Sequence, residues 1–109
     1  MKTIATVNLT TNPVIKTDKK GFQFVSFGAA EDLKKKNADG SFEKTGVRYL
    51  NVTAYGKRAM ELAMALAKGD RVEVSGEANL DVTIGERKTN FFKMKDVKVI
   101  FSKATAQAA

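Results

Sequence analysis

Two tyrosines six residues apart, Tyr49 and Tyr55, are the residues in this sequence best suited to ligand chemistry. They lie in the segment VRYLNVTAYGK, where Leu50, Val52 and Ala54 alternate with more polar residues as in a half-buried β-strand. Both phenol rings are therefore predicted on the polar face of the strand. Aromatic rings in that position can stack on unpaired nucleobases, at roughly 1–3 kcal/mol per base. They can also cover a subunit interface or pack beneath a loop, so the strand alone leaves their role open.

The charge balance of the chain favours a polyanionic partner. Its 109 residues include 19 lysines and arginines against 12 acidic residues, a formal net charge of +7. The excess is uneven, because residues 1–58 hold eleven basic against five acidic residues while residues 59–109 hold eight against seven. A basic excess of this kind is typical of nucleic-acid-binding domains, although it also serves solubility.

The residue types that the chain lacks exclude several kinds of chemistry. It contains no cysteine and no histidine, which excludes disulfides, thiolate zinc sites, cysteine nucleophiles and histidine bases. Among its acids only Glu31 and Asp32 are adjacent, and neighbouring side chains on an extended strand point to opposite faces. We therefore predict a binding protein without cofactor or metal rather than an enzyme. A carboxylate-metal nuclease would instead need magnesium and lose activity with EDTA.

The length and the hydropathy pattern indicate one domain outside the membrane. The chain is long enough for a single core, and we assign residues 1–101 to it and predict that the polar tail at residues 102–109 is disordered. No apolar run approaches the roughly 20 residues that span a bilayer. The N-terminal segment has no continuous apolar stretch like that of a signal peptide. The predicted location is the cytoplasm.

Five predicted strands and one helix must position these side chains. The helix covers KRAMELAMALAKG, residues 57–69, which is rich in helix-favouring residues and ends at Gly69. Its Met60 and Met64 are predicted to pack on the core. A helix between the third and fourth strands predicts an OB-fold, an all-β, five-stranded Greek-key barrel, with a five-stranded sheet and a packed helix as the alternative. The strands are predicted at residues 1–9, 21–30, 47–55, 70–85 and 89–101, with a short strand in VIKTDKKG.

The polar stretch EDLKKKNADGSFEKTG, residues 31–46, is predicted to form a long loop between the second and third strands. Asp39 and Gly40 within it favour a hairpin-type turn. Loops of this length are usually functional or mobile. The stretch carries the densest cluster of positive charge, formed by Lys34, Lys35, Lys36 and Lys44.

The second predicted strand has two candidate inner faces. Phe22 and Phe24 share one face, while Val25 and Phe27 share the other. The pattern alone does not decide which of them is buried.

Four features of the chain resemble the bacterial-type single-stranded DNA-binding proteins of the OB-fold class. NLTTNP is similar to the family's N-L-x-x-x-P after the first strand. AYGK, the helix and LAKGDRVEVSG are similar to the family's aromatic-Gly-Lys, helix and L-x-K-G-x-x-V-x-V-x-G. Residues 31–46 match its basic DNA-contacting loop, and Tyr49 and Tyr55 have the spacing of its base-stacking Trp and Phe. The likeness covers about residues 1–100.

The resemblance implies binding to single-stranded DNA with little sequence specificity, which protects the strand during DNA replication, recombination or repair. It implies that Tyr49 and Tyr55 stack on bases, that Lys57 contacts phosphate, and that the protein is a homo-oligomer, a dimer or a tetramer. Arg48 is included as a candidate although alternation places it on the inner face of its strand. The further candidates for DNA contact are Lys34, Lys35, Lys36 and Lys44.

The sequence departs from the family pattern in two respects. It has no tryptophan, and the position of the family's aromatic residue in the last hairpin falls near Val82 or Thr83, which cannot stack on a base comparably. Phe91 or Phe92 either supplies that stacking contact or belongs to the core. The chain ends in SKATAQAA, without the acidic tail that recruits replication and repair proteins in bacterial members, as in some phage or plasmid relatives or after removal of a tail. The resemblance therefore does not extend to recruitment. An OB-fold protein-interaction module of the primosomal type and an RNA-binding OB domain are the alternative functions.

Overall fold

Six β-strands and one helix form within residues 3–101, which are the residues described by the computed structural model. The predicted tail at residues 102–109 lies outside them. The helix has eight residues, and no helical segment of this described part is long and apolar enough to cross a membrane. The elements are β1 (Thr3–Leu9), β2 (Val14–Thr17), β3 (Gln23–Lys36), β4 (Phe42–Tyr55), α1 (Lys57–Met64), β5 (Arg71–Ile84) and β6 (Arg87–Phe101).

The strands close into a barrel because β1 pairs with strands on both of its sides. It runs antiparallel to β5 along most of its length, and antiparallel to β3 at Asn8 and Leu9. The barrel order is therefore β1, β5, β6, β4, β3 and back to β1, with β4 and β6 as a parallel pair. This confirms the prediction of an all-β barrel of five strands with one helix.

The predicted place of the helix, between the third and fourth strands, is matched only roughly. The short strand β2 pairs with β3 outside the closed ring and counts as an element of its own. Helix α1 therefore follows β4, the fourth strand in chain order.

The hydrophobic core fills the barrel interior with every second residue of the strands. Along β3 the inward residues are Val25 and Phe27, which decides the question that the sequence left open. Phe24 is half-buried on the outer face, and Phe22, just before β3, is exposed. Each large apolar side chain that is fully buried stabilises the fold by roughly 1.5–3 kcal/mol. The largest fully buried side chains are Phe92, Met94, Val7, Val25, Val52, Val72 and Val74.

The prediction of a long loop at residues 31–46 is wrong. Strands β3 and β4 run into this segment from both sides and pair as a hairpin, so that only residues 37–41 form the turn. The N–H of Asn37 donates to the carbonyl of Ser41 at 2.8 Å, and Gly40 adopts a φ of 88° in the turn that was predicted. We call residues 31–46 the β3–β4 arm. Near the tip both of its faces are exposed and mostly polar, with Phe42 as an exposed exception, so hydrophobic alternation could not indicate the strands.

Helix α1 is shorter than predicted, because it ends at Met64 rather than near Gly69. The N–H groups that follow it leave the helical pattern in two steps. That of Leu66 donates to the carbonyl of Ala63 at 3.1 Å, and that of Ala67 to Oδ2 of Asp70 at 3.0 Å, which ends the helical hydrogen bonding. Beyond this point the N–H of Lys68 donates to the side chain of Asn12 at 2.8 Å, and that of Gly69 to the carbonyl of Leu9 at 3.0 Å. Met64, predicted to pack on the core, is 46% exposed.

Gly76 of β5 lies where the backbone of β6 approaches it most closely. A Cβ atom there would lie 1.9 Å from the carbonyl oxygen of Lys93. We expect Gly76→Ala to lower the free energy of unfolding by about 1–3 kcal/mol or more, because the two strands must separate to admit the methyl group. Urea unfolding followed by circular dichroism, at one protein concentration, measures the change.

The matched control is Gly46→Ala on β4. An added Cβ at Gly46 has no atom within 4 Å, so its free energy of unfolding should change by only about 0.5 kcal/mol or less. Equal unfolding midpoints for the two variants would show that the close approach at Gly76 is not rigid.

Candidate nucleic-acid interface

The outer face of β4 presents both tyrosines to solvent. Leu50, Val52 and Ala54 are buried inside the barrel. On the opposite face Tyr49 is 68% exposed and Tyr55 is 37% exposed. The predicted direction of each side chain along this strand is confirmed, and neither phenol ring is sealed in the core.

A row of aromatic and cationic side chains crosses the strands at Tyr55. Tyr55 pairs with Phe24 of β3, and their rings stack with centroids 4.9 Å apart and planes inclined by 19°. Lys93 of β6 places its Nζ 5.5 Å from the centroid of the Tyr55 ring, within the range of a cation–π interaction. Beyond Phe24, Lys16 of β2 is the next cross-strand partner. We call Lys93, Tyr55, Phe24 and Lys16 the aromatic row.

The two tyrosines differ in how they are supported. Tyr55 is backed by Phe24, which orients its ring, whereas Tyr49 stacks on no other ring of residues 3–101. Tyr49 instead borders a groove of about 720 Å³ between β4 and the β5–β6 hairpin. Gly28, the cross-strand partner of Asn51, leaves one wall of this groove without a side chain. The polar lining includes Thr10, Thr11, Asn51, Lys88, Thr89 and Asn90.

Asn90 ties the β5–β6 hairpin to the backbone of Tyr49. Its Nδ2 donates to the carbonyl of Tyr49 at 3.1 Å, and its Oδ1 accepts the N–H of Asp81 at 2.8 Å. Asp81 has a φ of 55°, which is a left-handed conformation at the point where the β5–β6 register shifts. One amide side chain thus satisfies the irregular backbone of the hairpin and joins it to the strand that carries the tyrosines.

The lysines of the β3–β4 arm do not share one face. Alternation along β3 places Lys34 and Lys36 on the tyrosine face and Lys35 on the other. Across the arm Lys34 faces Lys44, whereas Lys35 faces Glu43. Lys34 thus has a basic cross-strand neighbour, while Lys35 has an acidic one.

Two of the predicted cations have acidic partners. Lys44 Nζ lies 3.3 Å from Oδ1 of Asp32. Arg48 is half-buried, and its Nε donates to Oε1 of Glu31 at 2.9 Å, directly across from it on β3. These carboxylates offset part of the positive charge that Lys44 and Arg48 can offer to a phosphate.

Lys57 begins helix α1 beside a cavity of about 570 Å³ next to Tyr55. Arg58 and Lys95 form exposed ion pairs with acidic neighbours, at 3.5 and 3.6 Å. Lys57 and Lys93 have no ion pair within residues 3–101, so their charges remain open to a ligand. The cavity lining includes Tyr55, Lys57, Arg58, Lys93 and Lys95.

The aromatic row contains residues that the sequence analysis did not assign to the site. Lys93 and Lys16 are not among the predicted contacts, and alternation alone leaves the direction of Phe24 open. The signal for Lys93 lies in the alternation of TNFFKMK, where Phe92 and Met94 are buried. That pattern indicates an outer face, but only the parallel pairing of β6 with β4 places the face beside the tyrosines.

The site offers flat apolar rings and cations rather than groups for bond chemistry. Within the described part of the chain, no three or more His, Cys, Asp or Glu side chains are grouped to hold a metal ion. At the tip of the arm, hydrogen bonds from the side chain and backbone of Ser41 hold the pKa of the Asp39 carboxyl below its usual value. The arrangement is therefore suited to stacking and to charge attraction.

These features define the chain as a small all-β barrel protein with an aromatic, cationic outer face. The model of the Single-strand binding protein family matches residues 1–103, and the chain belongs to this family. The resemblance stated above is thereby confirmed. No curated protein matches the sequence.

Three solved structures with the same fold come from different organisms. A small single-stranded DNA-binding protein from Streptomyces coelicolor aligns with a TM-score of 0.67 at 22% identity, over 96% of this chain and 95% of the other. A Plasmodium falciparum SSB in complex with ssDNA aligns with a TM-score of 0.61 at 18% identity, over 92% of both chains. A deletion mutant of the single-stranded DNA-binding protein from Thermus aquaticus aligns with a TM-score of 0.64 at 18% identity, over 94% of this chain and 51% of the other.

Asn90→Ala should loosen the β5–β6 hairpin from β4. Loss of both side-chain hydrogen bonds should lower the free energy of unfolding by about 1–3 kcal/mol. It should also speed hydrogen exchange at the Asp81 amide, which NMR measures directly. Asn79→Ala is the control, because Asn79 is exposed on the same hairpin and its side chain has no hydrogen bond among residues 3–101. An unchanged exchange rate at Asp81 in Asn90→Ala would show that the Asn90 side chain does not hold the hairpin to β4.

Proposed function

We propose that this protein binds single-stranded DNA with little sequence specificity, and that it protects the exposed strand during DNA replication, recombination or repair. The observation that carries the proposal is the outward direction of Tyr49 and Tyr55 on a face that also bears cations without acidic partners. Membership of the single-strand binding family supports it. The family match and the Plasmodium relative in complex with ssDNA favour this function over a protein-interaction module or an RNA-binding domain.

Base stacking is the first part of the proposed mechanism. The open ring of Tyr49 offers a π-face to a base, and Tyr55, held by Phe24 and Lys93, is proposed to stack on a second base through its exposed part, at roughly 1–3 kcal/mol per base. Every nucleobase has such a face, so stacking discriminates little between sequences. Bases inside a duplex are already stacked and paired, so the same contacts select single strands over double strands.

Charge attraction to phosphates is the second part. Lysines that contact the backbone release its condensed counterions, so affinity falls with salt at about −0.7 log units per log unit of salt for each phosphate neutralised on a single strand. We assign most of this attraction to Lys57 and Lys93 near Tyr55, and to Lys34 and Lys36 on the tyrosine face of the arm. Smaller contributions are assigned to Lys35, Lys44 and Arg48. No covalent bond is made or broken in this mechanism, and no cofactor is needed.

We further propose a homo-oligomer, a dimer or a tetramer, in the cytoplasm. Between Thr3 and Val7, strand β1 pairs only with β5, and the edge opposite β5 is open. Ile4 is exposed beside this edge. An open strand edge with an exposed apolar side chain favours pairing with a second chain. The barrel is proposed to be an OB-fold in which β1 and β2 form one interrupted first strand, which places α1 between the third and fourth.

Replacing both Tyr49 and Tyr55 with Ala should weaken binding to oligo-dT at least about tenfold, since two stacking contacts are lost. Fluorescence anisotropy of a labelled oligonucleotide at one salt concentration measures the affinity, and circular dichroism checks the fold. Met64→Ala is the control, because it removes an exposed apolar side chain from the helix rather than from the tyrosine face. Equal affinity of the double variant and the control would rule out the stacking platform.

Lys34→Gln and Lys35→Gln each remove one charge from the arm but from opposite faces. Lys34→Gln should make the slope of log affinity against log salt shallower by about 0.7, the loss of one phosphate contact. Lys35→Gln should change the slope by a smaller amount, because its contribution is smaller. The measurement is oligo-dT affinity over a salt series. Identical slopes in the two variants would show that the arm attracts DNA only through its total charge, whichever face carries it.

A further inference from the structure

We infer that Phe22, at the β2–β3 hairpin, forms an additional base-stacking subsite that extends the DNA path beyond Tyr55. The inference rests on the proposed single-strand binding. Phe22 is 64% exposed, although it is a large apolar side chain, and it lies just before the first residue of β3.

The backbone that carries Phe22 is held in place by one acidic side chain. Oδ1 of Asp18 accepts the N–H groups of Lys20 and Phe22, both at 2.9 Å. The N–H of Asp18 in turn donates to the carbonyl of Phe22 at 2.9 Å. Gly21 takes the positive φ of 88° that the tight turn requires. A ring on such a rigid turn loses little backbone freedom when a base stacks on it.

The position of Phe22 continues the aromatic row. Phe22 and Phe24 are two residues apart on extended backbone, so alternation places them on the same outer face, roughly 7 Å apart along the chain. Phe24 is itself stacked on Tyr55. Three rings therefore lead from β4 across β3 to the tip of the hairpin.

The charges around Phe22 suit a nucleotide rather than an apolar partner. Lys16 faces Phe24 across the two strands, and Lys19 and Lys20 lie in the turn. None of these three lysines has an ion pair within the part of the chain that the structure describes. The Asp18 carboxylate in the same turn offsets one of these charges, so the hairpin keeps a positive balance. A flat exposed ring on a hairpin with free cations can hold a base on the ring and a phosphate on a lysine.

The absence of tryptophan from the sequence allows a direct test, because a single introduced indole is then the only one in the protein. In Phe22→Trp, oligo-dT should quench the indole emission on binding, whereas a duplex of equal phosphate content should not. The control is Ile15→Trp, which lies on the same hairpin, is 54% exposed and faces helix α1 rather than the aromatic row. Anisotropy of a labelled oligo-dT measures binding by both variants in parallel.

Quenching confined to Phe22→Trp supports the subsite. Equal quenching in both variants, or no quenching in either while the labelled oligo-dT still binds, overturns the subsite and leaves the proposed function intact. Failure of oligo-dT to bind the unchanged protein overturns the proposed function and the subsite together.

A second comparison measures what the ring contributes to affinity. Phe22→Ala should weaken oligo-dT binding at least about fivefold, whereas Phe22→Tyr, which keeps an aromatic face, should restore it. Because Phe22 is exposed, both variants should unfold at the midpoint of the unchanged protein. Equal affinities of Phe22→Ala and Phe22→Tyr would overturn the inference.

Discussion

The pairing of β1 with β3 closes the barrel and thereby sets the direction of the outward side chains. The ladder joins Asn8 with Ala30 and Leu9 with Ala29, and the N–H of Thr10 just beyond it donates to the carbonyl of Gly28 at 2.9 Å. This short contact gives every strand of the ring an inside and an outside. Once the ring is closed, the apolar residues of β4 must fill the interior, and its tyrosines must face out. The direction of the two phenol rings is thus a consequence of core packing, because turning them inward would expose the residues that form the core.

The acidic residues decide where the outer surface is positively charged as much as the basic residues do. A net charge of +7 alone would suggest a diffuse positive field. Arg48 beside Glu31 and Lys44 beside Asp32 have partners that offset their charge locally. The exposed pair of Lys44 and Asp32 adds little stability, typically below about 1 kcal/mol. The main effect of the two pairs is to leave the uncompensated cations near the aromatic row and on one face of the arm.

The aromatic surface is built without tryptophan, by combining smaller rings across strands. Phe24 and Tyr55 come from two strands and stack through an antiparallel pairing that also brings Lys16 alongside. Lys93 comes from β6, the strand on the other side of β4. The surface therefore depends on the register of four strands, since a shift of one residue in any of them would turn its contribution toward the opposite face.

The alternation of β4, the all-β barrel with one helix and the family can be predicted from the sequence, because a two-residue period and the local motifs are properties of contiguous residues. The β3–β4 arm cannot, since its exposed and mostly polar strands carry no clear hydrophobic period. Nor can the end of α1, where the Asp70 carboxylate accepts the N–H of Ala67 and distant Asn12 accepts that of Lys68. The position of Phe24 and Lys93 beside Tyr55 depends on the fold. Cross-strand neighbours are set by register and strand order, and these depend on which surfaces pack together.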